Sequence, residues 1–530
     1  MEEGNTAKTP VTHLENVPSQ ETSVDPAEMG LWLNLKKHPK VAAYCFALTT
    51  VILLWGYDMG MTGNLASLPE FQKVYGVWRD DEWIIESRWM GAWNAGSPIG
   101  IMLGSLAGGA IQDRWGRRAS LGIGSVTSVL GVAVVWCSQY ANGSRHGVFL
   151  LGKICQGVTI GIAVCTAQTY MSEVLPPAIR APLVAFFPVF QLVGQLVGAG
   201  ITFSAEDIEG PDSYRICIIS EFPFSALPIL LSLLIPESPI YLVRKGRLEE
   251  AHKQQKRLDK ANVDSRAKIE RIQALILHEQ EAAKSDRSRY ADCFRGTDRR
   301  RTVIVLFSAV LPQLFGLPIL GDGPYFLQIA GMEASNSLIF LIAGSVGGLL
   351  ATLISMSLFT RIGRRRLMIL TLAPVVVLWL AMGVAGCFDS KVVPWIVGVI
   401  LNIICFIAGL GVWPGSYVVG GEISSLRLRA KSQGLGWAVG GIGNFVFSTI
   451  TPFIYNADSG NLRSKIGFVW LGISGLSFLA LWFLVPETYG RTPYQLDLMF
   501  EQKLPTRKFR HWTPDVNSEM DRIEVHEEKP

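Results

Sequence analysis

The hydrophobic positions of this chain fall in blocks about twenty residues long, separated by short polar or charged stretches. A block of that length forms a helix able to cross roughly 30 Å of hydrocarbon. Blocks lie at 41–68, 91–111, 119–138, 147–170, 183–203 and 216–235, and again at 302–327, 338–358, 367–387, 394–419, 432–457 and 466–485. They predict an all-α polytopic membrane protein with twelve transmembrane helices. The predicted organisation is a tail at 1–40, a six-helix bundle at 41–235, a polar helical loop at 236–301, a second six-helix bundle at 302–485 and a tail at 486–530. Within the loop, the pattern reads as an amphipathic helix around Leu248–Leu277.

Composition agrees with this reading. Only 17% of the 530 residues are charged and the mean hydropathy is +0.30. A soluble chain of this length would form several domains with a larger charged share. A net charge of +4 gives no support to nucleic-acid binding. All cysteines except Cys293 lie in apolar blocks without paired spacing, so neither a disulfide framework nor a zinc site is indicated. The histidines lie in polar segments, which argues against an intramembrane histidine relay. No nucleophile–base set or metal-ligand cluster is visible, so an enzyme is not expected. The polar, acidic segment up to Met29 lacks the form of a cleaved signal peptide, and the first span is expected to direct insertion.

The placement of charge sets the expected orientation. Lys36, Lys37 and Lys40 precede the first span. Arg114, Arg117 and Arg118 follow the second, and Arg361, Arg364, Arg365 and Arg366 follow the eighth. Alternate loops, such as 204–214, carry few basic residues. The positive-inside rule then places both termini and the central loop in the cytoplasm.

The chain also repeats itself. Arg114, Gly116 and Arg117 recur as Arg361, Gly363 and Arg364 at an offset of 247. Glu173 and Arg180 recur as Glu422 and Arg429 at 249, and Pro236-Glu237 recurs as Pro486-Glu487 at 250. Three landmarks at one offset imply two halves in the same orientation, able to rock about a site between them. Arginines at these helix ends can pair with Asp113, Glu173, Glu237, Glu422 and Glu487, which end helices on the same side. Such networks either bias a two-state gate or serve only to fix topology.

Charge inside the spans is costly and therefore informative. Asp58 lies past the middle of the first span, and Lys153 lies about two turns into the fourth from its outer face. Their depths are compatible with an ion pair. Glu221 lies near the outer end of the sixth span. Burial disfavours the charge on a carboxylate, whereas a nearby cation favours it. Lysine, unlike arginine, can give up its proton when buried. The pair is either a proton switch or a static link that orders the bundle.

Several motifs resemble a known family. Gly104-x3-Gly108-x4-Asp113-Arg114-Trp115-Gly116-Arg117-Arg118 resembles the signature loop of the major facilitator superfamily. Pro236-Glu237-Ser238-Pro239 and Pro486-Glu487-Thr488-Tyr489-Gly490-Arg491-Thr492 resemble the sugar porter signatures that end spans six and twelve. Gly56-Tyr57-Asp58, and Glu422-Ile423 ahead of Arg427-Leu428-Arg429, fit the same branch. The segment Lys36–Tyr75 is similar to fungal α-glucoside (maltose-type) permeases. The resemblance covers about 36–500.

The resemblance implies alternating access, a small sugar-like substrate, and no cofactor beyond a proton as coupling ion. Proton-coupled sugar porters carry an acid at the position of Asp58, and the family usually has arginine at that of Lys153. Bacterial xylose–proton symporters carry an acid like Glu221. Gln195, Gln313 and Asn444 match sugar-binding amides, and Gln191 lies one turn before Gln195. Departures are Pro188 and Pro318 where hexose porters have amides, Tyr417 for tryptophan and Asp322 for tyrosine. Asp322 either binds a polar ligand or lies at a wet outer mouth. The expected function is proton-coupled transport of a hexose or α-glucoside, in the plasma membrane. Alternatives are a carrier or exporter of another polar solute or fungal secondary metabolite, and a nutrient sensor, against which the short stretch after Pro486 argues. Asn142-Gly143-Ser144 matches a glycosylation pattern in a loop too short to favour modification. Gly347-Gly348 and Gly440-Gly441 read as close helix packing.

Overall fold

The computed structural model describes residues 39–49, 51–79, 82–141, 143–175, 187–260, 264–285, 290–425, 428–491 and 493–512. Its N-terminal helices are α1 (Pro39–Thr49), α2 (Val51–Ala66), α3 (Pro69–Tyr75), α4 (Ser87–Trp115), α5 (Arg117–Cys137), α6 (Arg145–Val174), α7 (Phe187–Glu206), α8 (Asp212–Ile219) and α9 (Glu221–Leu234). Three helices of the central loop follow: α10 (Pro239–Arg244), α11 (Leu248–Leu258) and α12 (Ser265–Ser285). The C-terminal set is α13 (Gly296–Leu314), α14 (Leu317–Gly321), α15 (Gly323–Ile329), α16 (Ala334–Arg361), α17 (Arg364–Ala385), α18 (Val393–Leu410), α19 (Val412–Ile423), α20 (Arg429–Tyr455) and α21 (Ile466–Leu484), followed by α22 (Pro493–Glu501).

Among the described residues, nine helical segments are long and apolar enough to cross a membrane. They match nine of the twelve predicted blocks. Of the other three blocks, the one at 183–203 lies partly outside the described residues, α4 is more polar, and the helix at 302–327 is broken into α13–α15. α13 opens on Arg299, Arg300 and Arg301, and the chain then breaks twice within predicted span 302–327. At the first break Gly316 adopts φ 109°, where a Cβ would lie 2.4 Å from the Trp379 ring. The Trp379 indole donates to the freed Phe315 carbonyl at 2.9 Å. Pro318 and Pro324 lie in the first turns of α14 and α15, where proline can start a helix but not continue one.

Three further details differ from the sequence reading. Residues Val77–Arg79 (β1) and Glu82–Ile84 (β2) form an antiparallel hairpin, its Trp78 and Trp83 rings 5.4 Å apart. The amphipathic helix expected around 248–277 is split into α11 and α12 at Asp259, whose carboxylate accepts from Lys268 at 2.6 Å and whose carbonyl accepts from Lys40 at 2.9 Å. His146, read as part of a polar segment, packs in the first turn of α6 between Trp89 and Trp93 and bonds the Tyr75 carbonyl at 2.8 Å.

Glycines let helices touch backbone to backbone. A Cβ on Gly104 would lie 2.0 Å from the Val158 carbonyl oxygen, and one on Gly157 would lie 2.2 Å from that of Ser97, so α4 and α6 cross in direct contact. The two sets meet where α4 packs on α20 and α7 on α16. Gly441 faces Met102 there, and Gly348 faces Leu192, in keeping with the packing expected of those glycine pairs.

Hydrogen bonds also link the two sets. Gln328 donates to the Ser67 carbonyl at 2.7 Å, and Asn456 donates to that of Ile85 at 2.8 Å. The Ser87 amide donates to Asp458 at 2.7 Å. These links lie at the end of the molecule opposite the arginine loops.

Candidate functional site

α6 places two polar side chains on one face, three residues apart. Lys153 forms an ion pair with Asp58 of α2, and both are 2% exposed. Gln156 donates to Glu221, the first residue of α9, at 2.9 Å, and that side chain is 1% exposed. The residue before Asp58 on α2 completes the group: the Tyr57 hydroxyl bonds Ser220 Oγ at 2.6 Å and the Cys217 carbonyl at 3.0 Å. Asp58 also accepts from Ser97 of α4. Three helices thus converge on one buried carboxylate, and a cation and a hydroxyl offset its desolvation.

Asp58 and Ser97 line a cavity shared by both helix sets. Its other walls include Asn94, Gln313, Pro318, Asp322, Asn444 and Ser448. Asp322 accepts from Asn94 across the sets at 2.6 Å and is 6% exposed. Asn444 accepts from Ser448 at 2.8 Å. The Gln313 side-chain Oε1 is buried without a hydrogen-bond partner among the described residues. A second cavity adjoins this one, sharing Met59, Leu317 and Gly321, and is lined by Gln195, Asn64 and Asn402. The Asn64 side-chain oxygen is likewise unpartnered. The free volumes, ≈ 60 and ≈ 70 Å³, are far below the ~300–1,000 Å³ of typical small-molecule sites, so both cavities are narrow.

Of the residues singled out from sequence, Asp58, Gln313, Asp322 and Asn444 therefore meet at one cavity and Gln195 at its neighbour. Lys153 and Glu221 lie behind the wall. Gln191 reaches the Met59 sulfur at 3.0 Å. Tyr417 is 41% exposed and stacks on Trp437 at 6.1 Å, outside both linings. The side chain of Pro188, and Asn142, lie outside the described residues. Sequence reasoning missed Asn94, Ser97 and Gln156. Asn94 and Ser97 are polar residues one turn apart in a helix that packs through glycine, and that spacing was the available signal.

The arginine loops form two matching clusters. Arg117 pairs with Glu173 at 2.6 Å and reaches Asp113 at 4.0 Å. Arg364 pairs with Glu422 at 3.0 Å, and Thr488 also donates to Glu422. Each arginine lies over a tyrosine, Arg117 on Tyr241 at 5.0 Å and Arg364 on Tyr489 at 5.2 Å. Glu237 and Glu487 act differently from the expected side-chain pairing. They accept backbone N–H bonds at the starts of α5 and α17, from Arg117 and Arg364, each at 2.9 Å. Arg114 lies over Trp115, and Arg361 is exposed. Arg180 and the Arg429 side chain lie outside the described residues. Both pairs close within their own helix set, rather than tying the sets together as a gate would in the opposite state.

Comparison with known proteins agrees with this architecture. The family described as sugar (and other) transporter matches residues 42–500. The chain is 28% identical to the MFS transporter fmqE of Aspergillus fumigatus, covering 93% of both chains. It is 28% identical to the maltose permease MAL61 of Saccharomyces cerevisiae, covering 94% of this chain and 82% of that one. In fold it is similar to the inward-open xylose transporter XylE of E. coli, with a TM-score of 0.71 at 21% identity over 87% of this chain and 99% of that one. The chain belongs to the sugar (and other) transporter family of the major facilitator superfamily.

Proposed function

We propose that this protein carries a sugar across a membrane by proton symport, with Asp58 as the proton site. The observation that carries the reading is the buried Asp58–Lys153 pair, with Asp58 itself lining a cavity between the two helix sets. A proton on Asp58 would release Lys153 and couple cavity chemistry to the packing of α2, α4 and α6. The unpartnered oxygens of Gln313 and Asn64 would accept substrate hydroxyls once the cavity widens. Maltose permease as a relative supports an α-glucoside substrate. In this reading α4, α7 and α13–α15 also span, giving twelve helices in bundles at 41–235 and 302–485. Both termini and the loop at 236–301 are cytoplasmic, in the plasma membrane. The closed end is then the outer one and the molecule faces inward. The arginine clusters bias that equilibrium. The test is uptake of radiolabelled maltose, glucose and xylose into vesicles with and without an imposed proton gradient. Gradient-independent uptake would remove the symport reading.

A second reading has a specific observation behind it. Asp322 is a buried acid in the cavity whose hydrogen-bond donor is an amide rather than a cation. Together with Pro318, it favours a polar solute other than a plain hexose. Competition by amino sugars that is lost in Asp322→Asn would support that choice.

A further inference from the structure

At the loop joining α16 to α17, the fold gathers six arginines around one cavity. Arg361 ends α16, and Arg365 and Arg366 lie in the first turn of α17. Arg491 comes from the segment after α21, and Arg507 and Arg510 come from a short 3-10 helix, Thr506–His511. The free volume is ≈ 720 Å³, ten times that of either central cavity. The acid in the lining is Glu487, and its carboxylate is engaged by the backbone N–H groups of Arg364, Arg366 and Tyr489.

This convergence is built by specific contacts. Arg491 donates to the carbonyls of Phe509, Arg510 and Trp512 at 3.3, 3.2 and 2.7 Å, which clamps the terminal turn against the bundle. Arg300 holds the same segment through the Leu504 carbonyl at 2.6 Å and Thr506 at 2.8 Å. Phe509 is fully buried against Phe500. Arg507 and Arg510 are thereby fixed opposite Arg361, Arg365 and Arg366, although like charges in proximity repel. Arg365 spends one nitrogen on the Trp482 carbonyl at 2.8 Å, and its Nε is buried without a hydrogen-bond partner among the described residues. The matching loop of the other half carries Arg118-Ala119 where this one carries Arg365-Arg366. Arg361 and Arg365 thus repeat Arg114 and Arg118, whereas Arg366 goes beyond the internal repeat.

We propose that this cavity binds an oligophosphate anion, either a soluble phosphorylated metabolite or the headgroup of a polyphosphorylated lipid. Guanidinium forks match phosphate oxygens, and several in one concave site suit a multivalent phosphate over a single carboxylate. The site is separate from the transport cavity and does not rest on the substrate reading.

The test uses the full chain purified in neutral detergent, titrated calorimetrically with inositol hexakisphosphate at two salt concentrations. In a second arm, the protein is floated with phosphatidylcholine vesicles with and without a minor fraction of phosphatidylinositol 4,5-bisphosphate. Saturable binding that weakens with salt is expected. Arg507→Gln/Arg510→Gln, exposed positions outside the bundle, should weaken it about tenfold or more, with an unchanged melting temperature. Arg366→Gln provides an independent second variant. Binding of the soluble probe identifies a free anion as sufficient, whereas binding only to the phosphoinositide vesicles identifies a lipid headgroup. If neither probe binds, the proposal is overturned. Binding unaffected by both variants overturns it equally.

Discussion

Asn94 of α4 donates to Asp322 at 2.6 Å, joining the two helix sets at the cavity wall. The bond cannot survive separation of the sets at that end. It therefore belongs to a latch with Ser87–Asp458, Gln328–Ser67 and Asn456–Ile85.

Asn94→Ala is accordingly expected to open that end. A hydrogen bond to a charged group contributes about 1.5–3 kcal/mol, a shift of about tenfold or more in the open-to-closed ratio. The readout is labelling of a cysteine placed at Thr62, in a background without the native cysteines, by an impermeant maleimide. Labelling at the wild-type rate would show that Asn94–Asp322 does not hold the latch.

The two arginine–glutamate pairs are related by the repeat but differ in burial. The Arg117 and Glu173 side chains are 4% and 10% exposed, whereas those of Arg364 and Glu422 are 21% and 32% exposed. Removing one partner of a buried pair costs about 3–5 kcal/mol because the other charge is stranded. For an exposed pair the figure is about 0–1 kcal/mol. Glu173→Gln should therefore lower the melting temperature well below that of Glu422→Gln. Equal shifts would show that burial does not set the strength of these pairs.

Much of this was legible in the sequence because it depends on one-dimensional pattern. Asp58, Lys153 and Glu221 stood out as charges in apolar blocks, and the depths of Asp58 and Lys153 are compatible with the pair they form. The repeat anticipated that Arg117–Glu173 would have a counterpart in Arg364–Glu422. What pattern could not give was the third dimension. Hydropathy is blind to the break at Gly316, because Phe315, Gly316 and Leu317 are all compatible with an apolar helix. The use of Glu237 and Glu487 as backbone caps depends on where a turn brings each carboxylate. Tyr417 was assigned to the cavity by position in the family pattern, yet the rotation of α19 places it on Trp437.

Gly116 and Gly363 precede those capped helices with φ 94° in both cases and ψ of 173° and 157°. This backbone region is open almost only to glycine, at a cost of order 1–3 kcal/mol for other residues. A Cβ at Gly116 would also lie 2.5 Å from the Glu237 carboxylate, and one at Gly363 would lie 2.8 Å from that of Glu487. Each glycine-to-alanine change should therefore destabilise by more than the strain alone, seen as a lower melting temperature and reduced yield of folded protein. Wild-type stability in both variants would mean that the turns relax freely.

The last prediction concerns the centre of the proposed cycle. Asp58 meets Lys153 of α6 and Ser97 of α4, and its own helix is packed against α7 through Gly56 and Gly194. Neutralising the carboxylate removes the counter-charge of a lysine that is 2% exposed. That lysine must then either lose its proton or move, since an unpaired buried cation is strongly disfavoured. In either case the link between α2 and α6 is broken, as protonation of Asp58 would break it. Asp58→Asn should thus abolish uphill accumulation driven by a pH gradient while leaving substrate exchange across the membrane. Lys153→Arg retains a cation but replaces a group able to lose its proton with one that cannot, so coupling should survive with a shifted pH optimum. Accumulation and exchange measured in the same vesicles separate these outcomes. If Asp58→Asn still concentrates substrate as the wild type does, the proton is carried elsewhere and the pair serves only to order the bundle.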